Sequence, residues 1–148
     1  MNKALVYEAA LNVVDEKIAH AISMMDDAQQ SANSDTKSSA GDKHETSRAM
    51  AMLEKDRAAG QLNEANKLKQ ILIQINIKNQ CEKVGLGALV KTNSGLFYFS
   101  VGVGKIVVKN EIIFCISLAS PLGQVLVGKR QGESVSFNSQ SIRLLELS

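Results

Sequence analysis

Tryptophan is absent from this chain, and aromatic residues make up only 4% of its 148 positions. The few present do not interleave with Arg or Lys, so the stacking platforms and basic stripe of an autonomous nucleic-acid binder are missing. Residues 1–80 hold 10 Lys/Arg against 11 Asp/Glu, residues 81–148 hold 7 against 4, and the whole carries a formal charge of +2. Autonomous DNA binding is not expected; a protein partner is. Long apolar runs are also lacking. Stretches such as Ile112 to Cys115 fall far short of the ~20 residues that span a bilayer, so no membrane helix is expected. The N-terminus meets Glu8, Asn12, Asp15 and Glu16 before any apolar signal region develops, which predicts a cytoplasmic protein. Cys81 and Cys115 stand without C-x-x-C spacing or a His at metal-ligand distance in sequence, which argues against a zinc motif or a disulfide framework.

What the chain does contain is periodicity. Its 45% hydrophobic and 22% charged content is that of a globular protein. From Ala4 the positions Tyr7, Leu11, Val14, Ile18, Ala21, Met25, Ala28 and Ala32 recur at spacings of three and four, the seam of a coiled coil. Glu8, Asp15, Glu16, Lys17, Asp26 and Asp27 form a polar outer face. A second helical pattern runs from about Asp42 to about Asn79, with Ala51, Ala58, Leu62, Ala65, Leu68, Leu72 and Ile75 toward the first. Gly60 interrupts its interior at a cost of ~1 kcal/mol against alanine. Between the patterns lies a polar, Ser-rich stretch from Ser31 to Thr46, whose short side chains bond their own backbone and reverse the chain. Residues 1–80 thus read as an antiparallel helical hairpin with its tip near 31–46.

After Gln80 the period shifts toward two. Val84 to Lys91 and Leu96 to Val101 flank the hairpin signal Thr92-Asn93-Ser94-Gly95, and Lys105 to Val108 and Glu111 to Ser117 follow as strands around Asn110. Ser120-Pro121 opens a short helix, with Ser as N-cap and Pro at its first position, running through Leu122 to Val127 and stopped by Gly128. Ser134 to Phe137 and Ile142 to Leu147 close the pattern as a strand pair. Residues 81–148 therefore form a second domain, and the fold class is α+β.

The run from Ile116 to Val135, Ile-Ser-Leu-Ala-Ser-Pro-Leu-Gly-Gln-Val-Leu-Val-Gly-Lys-Arg-Gln-Gly-Glu-Ser-Val, closely resembles the I-S-x-x-S-P-x-G-x-A-L-x-G-K-x-x-G-D-x-V signature of the Gre family of bacterial transcript cleavage factors, of the GreA and GreB type. The resemblance extends to the whole layout: an N-terminal antiparallel coiled coil, then a small FKBP-like antiparallel sheet domain with one short helix. It implies a factor that is not itself an enzyme. Its sheet domain would bind the rim of the RNA polymerase secondary channel, its coiled coil would reach the active site, and the nascent RNA 3′ end would be met only there. Ser120, Pro121, Gly123 and Lys129 are the partner-binding candidates this implies.

The family's tip motif, about G-D-L-x-E-N-A-E-Y, matches here at Gly41, Asp42 and Glu45, while Thr46, Ser47, Arg48 and Ala49 stand where the family has Asn, Ala, Glu and Tyr. The match implies that Asp42 and Glu45 help hold a second magnesium shared with the polymerase, with no cofactor bound tightly by the chain itself. Carboxylates are the hard oxygen ligands that two-metal phosphodiester cleavage needs, and His44 or Asp35 would assist by positioning water or phosphate. The same spacing suits a helix cap, with Asp42 as N-cap and Glu45 three positions on. A regulator of this architecture that occupies the channel without cleavage is the alternative. A peptidyl-prolyl isomerase is a further one, although of Phe97, Tyr98, Phe99, Phe114 and Phe137, the aromatic residues a proline pocket would draw on, several must build the sheet domain's core.

Overall fold

Alanine at every seventh position organises the two long helices. The computed structural model describes residues 2–35 and 41–148, with the backbone alone at positions 34, 35 and 41–44. Helix α1 runs Lys3–Asp35 and α2 runs Gly41–Ile73. Ala21 and Ala28 of α1, and Ala51, Ala58 and Ala65 of α2, are each at most 5% exposed. An alanine on a lone helix keeps part of its surface, so the complete burial of Ala58 requires the facing helix. Seven residues return a helix to nearly the same face. Both series step by seven, so on each helix the alanines recur on one buried face.

Helix α2 stops at Ile73 rather than near Asn79. Its end tightens into i to i−3 bonds, from Gln74 N–H to Ile71 O at 3.2 Å and from Ile75 N–H to Leu72 O at 3.0 Å. Asn76 Oδ1 then accepts the Lys78 N–H at 3.0 Å. A short amide side chain that binds nearby backbone competes with the helix, which is why the apolar period alone overran the boundary.

By contacts the chain divides into two units, Val14–Leu68 and the combination of Met1–Val13 with Lys69–Ser148. The base of both helices therefore belongs with the sheet, whereas a boundary at 80/81 follows the change of sequence period. In the sheet unit α1 buries Val6 and Ala10 completely, while Ala4 and Tyr7 of the expected stripe are half-buried.

The strands are β1 (Leu89–Thr92), β2 (Gly95–Phe99), β3 (Gly104–Val108), β4 (Glu111–Ile116), β5 (Ser134–Phe137) and β6 (Gln140–Leu147). They form one sheet in the order β3-β4-β2-β1-β6-β5. The sheet is mixed rather than antiparallel throughout. Strands β2 and β4 pair in parallel, Tyr98 opposite Cys115, because the chain leaves β2, lays β3 at the outer edge and folds β4 back between them. The β3–β4 and β5–β6 turns are tight. Lys109 and Asn110 have φ of 49° and 65°, and Asn138 and Ser139 have 50° and 65°, the doubly positive pattern of a type I′ turn that matches strand twist.

One face of the sheet carries Val90, Phe97, Phe99, Ile142 and Leu144, packed with Val84, Ala88 and Leu126. The alternate positions Tyr98, Ile113 and Cys115 are fully buried on the other. Strand β1 begins at Leu89, not Val84, since the chain turns through Gly87 at φ 87°. A Cβ there would lie 2.8 Å from Ile75 Cγ2, so close passage of the segment after α2 also demands glycine.

Candidate functional site

Two places were marked by the sequence, the tip of the hairpin and the short helix of the sheet unit. At the tip, α2 is already helical at Gly41, which puts Asp42 inside the first turn rather than before it as an N-cap. A carboxylate in a first turn is favoured by the helix dipole. The side chains of Asp35, Asp42, Lys43 and His44 lie outside the described residues. Glu45 is exposed, as are Thr46, Ser47, Arg48 and Ala49 after it. Among the described residues no three His, Cys, Asp or Glu side chains converge as a metal site. Two carboxylates from Asp42 and Glu45 suit magnesium chemically as hard oxygen donors, and such a pair leaves the remaining ligands to a partner.

Beyond the tip, α2 exposes apolar side chains to solvent, Met50 at 59% and Leu53 at 65%. Both fall outside the sequence-derived seam. Neither was singled out as functional, and no motif marks them.

At the second place, helix α3 spans Pro121–Leu126. Ser120 is its N-cap, accepting the Gly123 N–H on Oγ at 3.0 Å while donating to Ser117 O at 2.6 Å. One hydroxyl thus ties the end of β4 to the start of α3. Gly123 is buried, and a Cβ on it would collide with the Ser117 carbonyl and with Leu118 backbone at 2.9 Å. Pro121 is exposed and Lys129 half-buried. The Lys129 carbonyl accepts the Val84 N–H at 2.8 Å, and Gly128 N–H donates to Val84 O at 2.8 Å. Ser120, Gly123 and the Gly128–Lys129 backbone therefore build the α3 corner itself, and of the four candidates Pro121 is the exposed one.

The aromatic residues are committed elsewhere. Phe97, Tyr98 and Phe99 are at most 8% exposed, and Phe97 stacks obliquely on Phe114 with centroids 5.8 Å apart. Three of the five aromatic residues on which a proline-binding pocket would draw are thus core. Tyr98 Oη is buried without a hydrogen-bond partner among the described residues, and burial raises its pKa well above 10.0. Burial likewise pushes the Cys115 thiol up to about 11. Neither group is poised to ionise near neutral pH. Among the described residues, no helix is long and apolar enough to cross a membrane.

No family model matches the sequence, and no curated protein does. Among solved structures, the chain is similar to one described as the structure of the transcription factor Gfh1, at 18% identity and a TM-score of 0.36, over 94% of this chain and 93% of that one.

Proposed function

We propose that this chain is a transcription elongation factor of the Gre type, which binds the RNA polymerase secondary channel and stimulates the polymerase's own cleavage of backtracked RNA. The observation that carries the reading is the α3 corner. The twenty-residue signature from Ile116 to Val135 falls across β4, α3 and β5, and its Ser, Pro and Gly take the cap, first-turn and close-packing positions there. A hairpin of two 33-residue helices, each about 50 Å long at ~1.5 Å per residue, supports it from the other end of the chain.

In this reading the sheet unit holds the channel rim and the hairpin carries Asp42 and Glu45 inward. The polymerase holds one magnesium firmly, and the two carboxylates supply ligands for the second, weakly held ion. The protein contributes ligands and position, and the polymerase remains the enzyme. A second reading rests on Thr46, Ser47, Arg48 and Ala49, which depart from the family's tip: a regulator that occupies the channel without promoting cleavage.

The deciding experiment is a pull-down with purified RNA polymerase, followed by cleavage of backtracked complexes at varied magnesium. The first reading expects binding, and cleavage that is lost in the Asp42→Ala/Glu45→Ala double variant with binding retained. Binding with no stimulation by the unaltered protein selects the second. Failure to bind polymerase sinks both.

A further inference from the structure

The apolar face of the sheet outruns its cover. Phe97 on β2 is 8% exposed, Phe114 on β4 is 39% and Val107 on the outermost strand, β3, is 59%. The three share one face. Phe97 and Phe114 are partners across the parallel pair and their rings stack obliquely. Val107 stands opposite Ile112, two positions before Phe114, and side chains two apart on a strand point the same way. Ile112 is exposed as well. Lys105, opposite Phe114, falls on this face and is exposed. Among the described residues it has no ion-pair partner, and Glu111, opposite Val108, lies on the other face.

The backbone of β3 states what kind of chain would cover it. The strand ends the sheet order, with β4 on one side and, among the described residues, no strand on the other. Its turn through Lys109 and Asn110 is closed by Val108 opposite Glu111, and the closing pair of a two-residue hairpin exchanges both backbone bonds. Bonded and non-bonded pairs then alternate. Ile106 is bonded to Ile113, while Lys105 and Val107 turn their N–H and C=O groups away from β4. A row of donors and acceptors two residues apart is paired in full by another extended chain. Proline and bulges are common ways to blunt such an edge, and β3 has neither against β4. A second copy of β3 is the poorer match. Paired about a two-fold axis at Ile106, Lys105 of each copy would abut Val107 of the other, with no anion on the shared face.

We propose that an extended segment of the partner protein adds to β3 as a further strand, setting an apolar side chain beside Val107 and a carboxylate beside Lys105. The outward N–H and C=O groups of Lys105 and Val107 fix its register. The unpaired ammonium on an otherwise apolar face selects the acidic residue. The proposal rests on the polymerase-binding reading above, and it names the edge of the sheet unit that is held and the backbone pairing that holds it.

The test uses the full chain and purified bacterial RNA polymerase core enzyme. Val107→Pro deletes an outward N–H, at a place where an edge strand accepts proline. Val107→Ile keeps that donor and an apolar branched side chain, and Lys105→Glu reverses the charge. The expected result is polymerase binding weakened about tenfold or more by Val107→Pro and severalfold by Lys105→Glu, unchanged by Val107→Ile, with thermal melts like the parent's. Hydrogen exchange in the complex should slow at the Lys105 and Val107 amides and not along Ser134–Phe137 at the opposite edge. Should Val107→Pro fail to fold, that exchange pattern in the unaltered chain decides alone. Equal affinity of the Pro and Ile variants, or unslowed amides in the complex, overturns the added strand while leaving polymerase binding standing. A free chain that is dimeric by light scattering, and monomeric as Val107→Pro, gives the edge to a second copy and overturns it too. Absence of any binding by the unaltered chain fails the parent reading and the added strand with it.

Discussion

Lys55 Nζ donates to Gln29 Oε1 at 2.6 Å, and Gln29 Nε2 donates in turn to Asn33 Oδ1 at 3.0 Å. A lysine on α2 is thereby coupled to two turns of α1 through a part-buried amide. The pair seals one flank of an alanine seam that offers little apolar area. Lys55→Ala should lower stability by about 1–2 kcal/mol, from the charged hydrogen bond and the lost packing of the lysine stem. Thermal melts of this variant and of Gln29→Ala should show comparable losses. The double variant should lose less than the sum, because each single change already breaks the shared bond.

Ala58 is fully buried. Ala58→Leu would insert a branched side chain where no surface is left open. Overpacking of this kind costs about 1–3 kcal/mol. Circular dichroism during heating should show earlier loss of helix, while Ala49→Leu, at an exposed position, should melt like the parent protein. Equal melting of Ala58→Leu and the parent would contradict the close seam.

The α3 corner predicts two losses of different size. Ser120→Ala removes the acceptor for the Gly123 N–H and should cost about 1 kcal/mol, the usual worth of an N-cap. Gly123→Ala puts a methyl against the Ser117 carbonyl and Leu118 backbone, and neither can move without unseating β4. It should be the more destabilising of the two in chemical denaturation. The reverse order would show that the corner tolerates a side chain there.

Alkaline pH should weaken the sheet unit. The Cys115 thiol has an ordinary value of 9.0 and is pushed by burial up to about 11, so the folded chain holds its proton where the unfolded chain releases it. The sign follows: this contribution is whole below pH 9 and is lost as pH rises through 9 to 11, at up to about 1.4 kcal/mol per pH unit. Tyr98, also raised from 10.0 by burial, adds to the loss above pH 10. Unfolding free energies measured from pH 7 to 11 should fall across that window and fall less steeply in Cys115→Val. A slope unchanged by that substitution would assign the loss to other groups.

The helices, turns and α3 corner were legible because each depends on residues close in sequence. Spacings of three and four mark a helix wherever they occur, and Ser120-Pro121 caps one without help from elsewhere. The strands were legible as alternation, including the tight reversal near Asn110. What the local pattern could not carry is pairing. Nothing in β2 or β4 says that they run parallel, since that follows from β3 taking the outer edge. The end of α2 was also misplaced, because the apolar period runs on to Ile75 while Asn76 just beyond it competes for backbone.

The candidate site divides in the same way. Asp42 and Glu45 were found by resemblance of a tip motif, and tertiary structure adds that Glu45 is exposed and that α2 begins before Asp42. Sequence alone therefore determined which segments are helix and strand, through short-range periodicity and capping. Only the tertiary structure decided the sheet order and the parallel pair, since these depend on contacts between residues far apart in the chain.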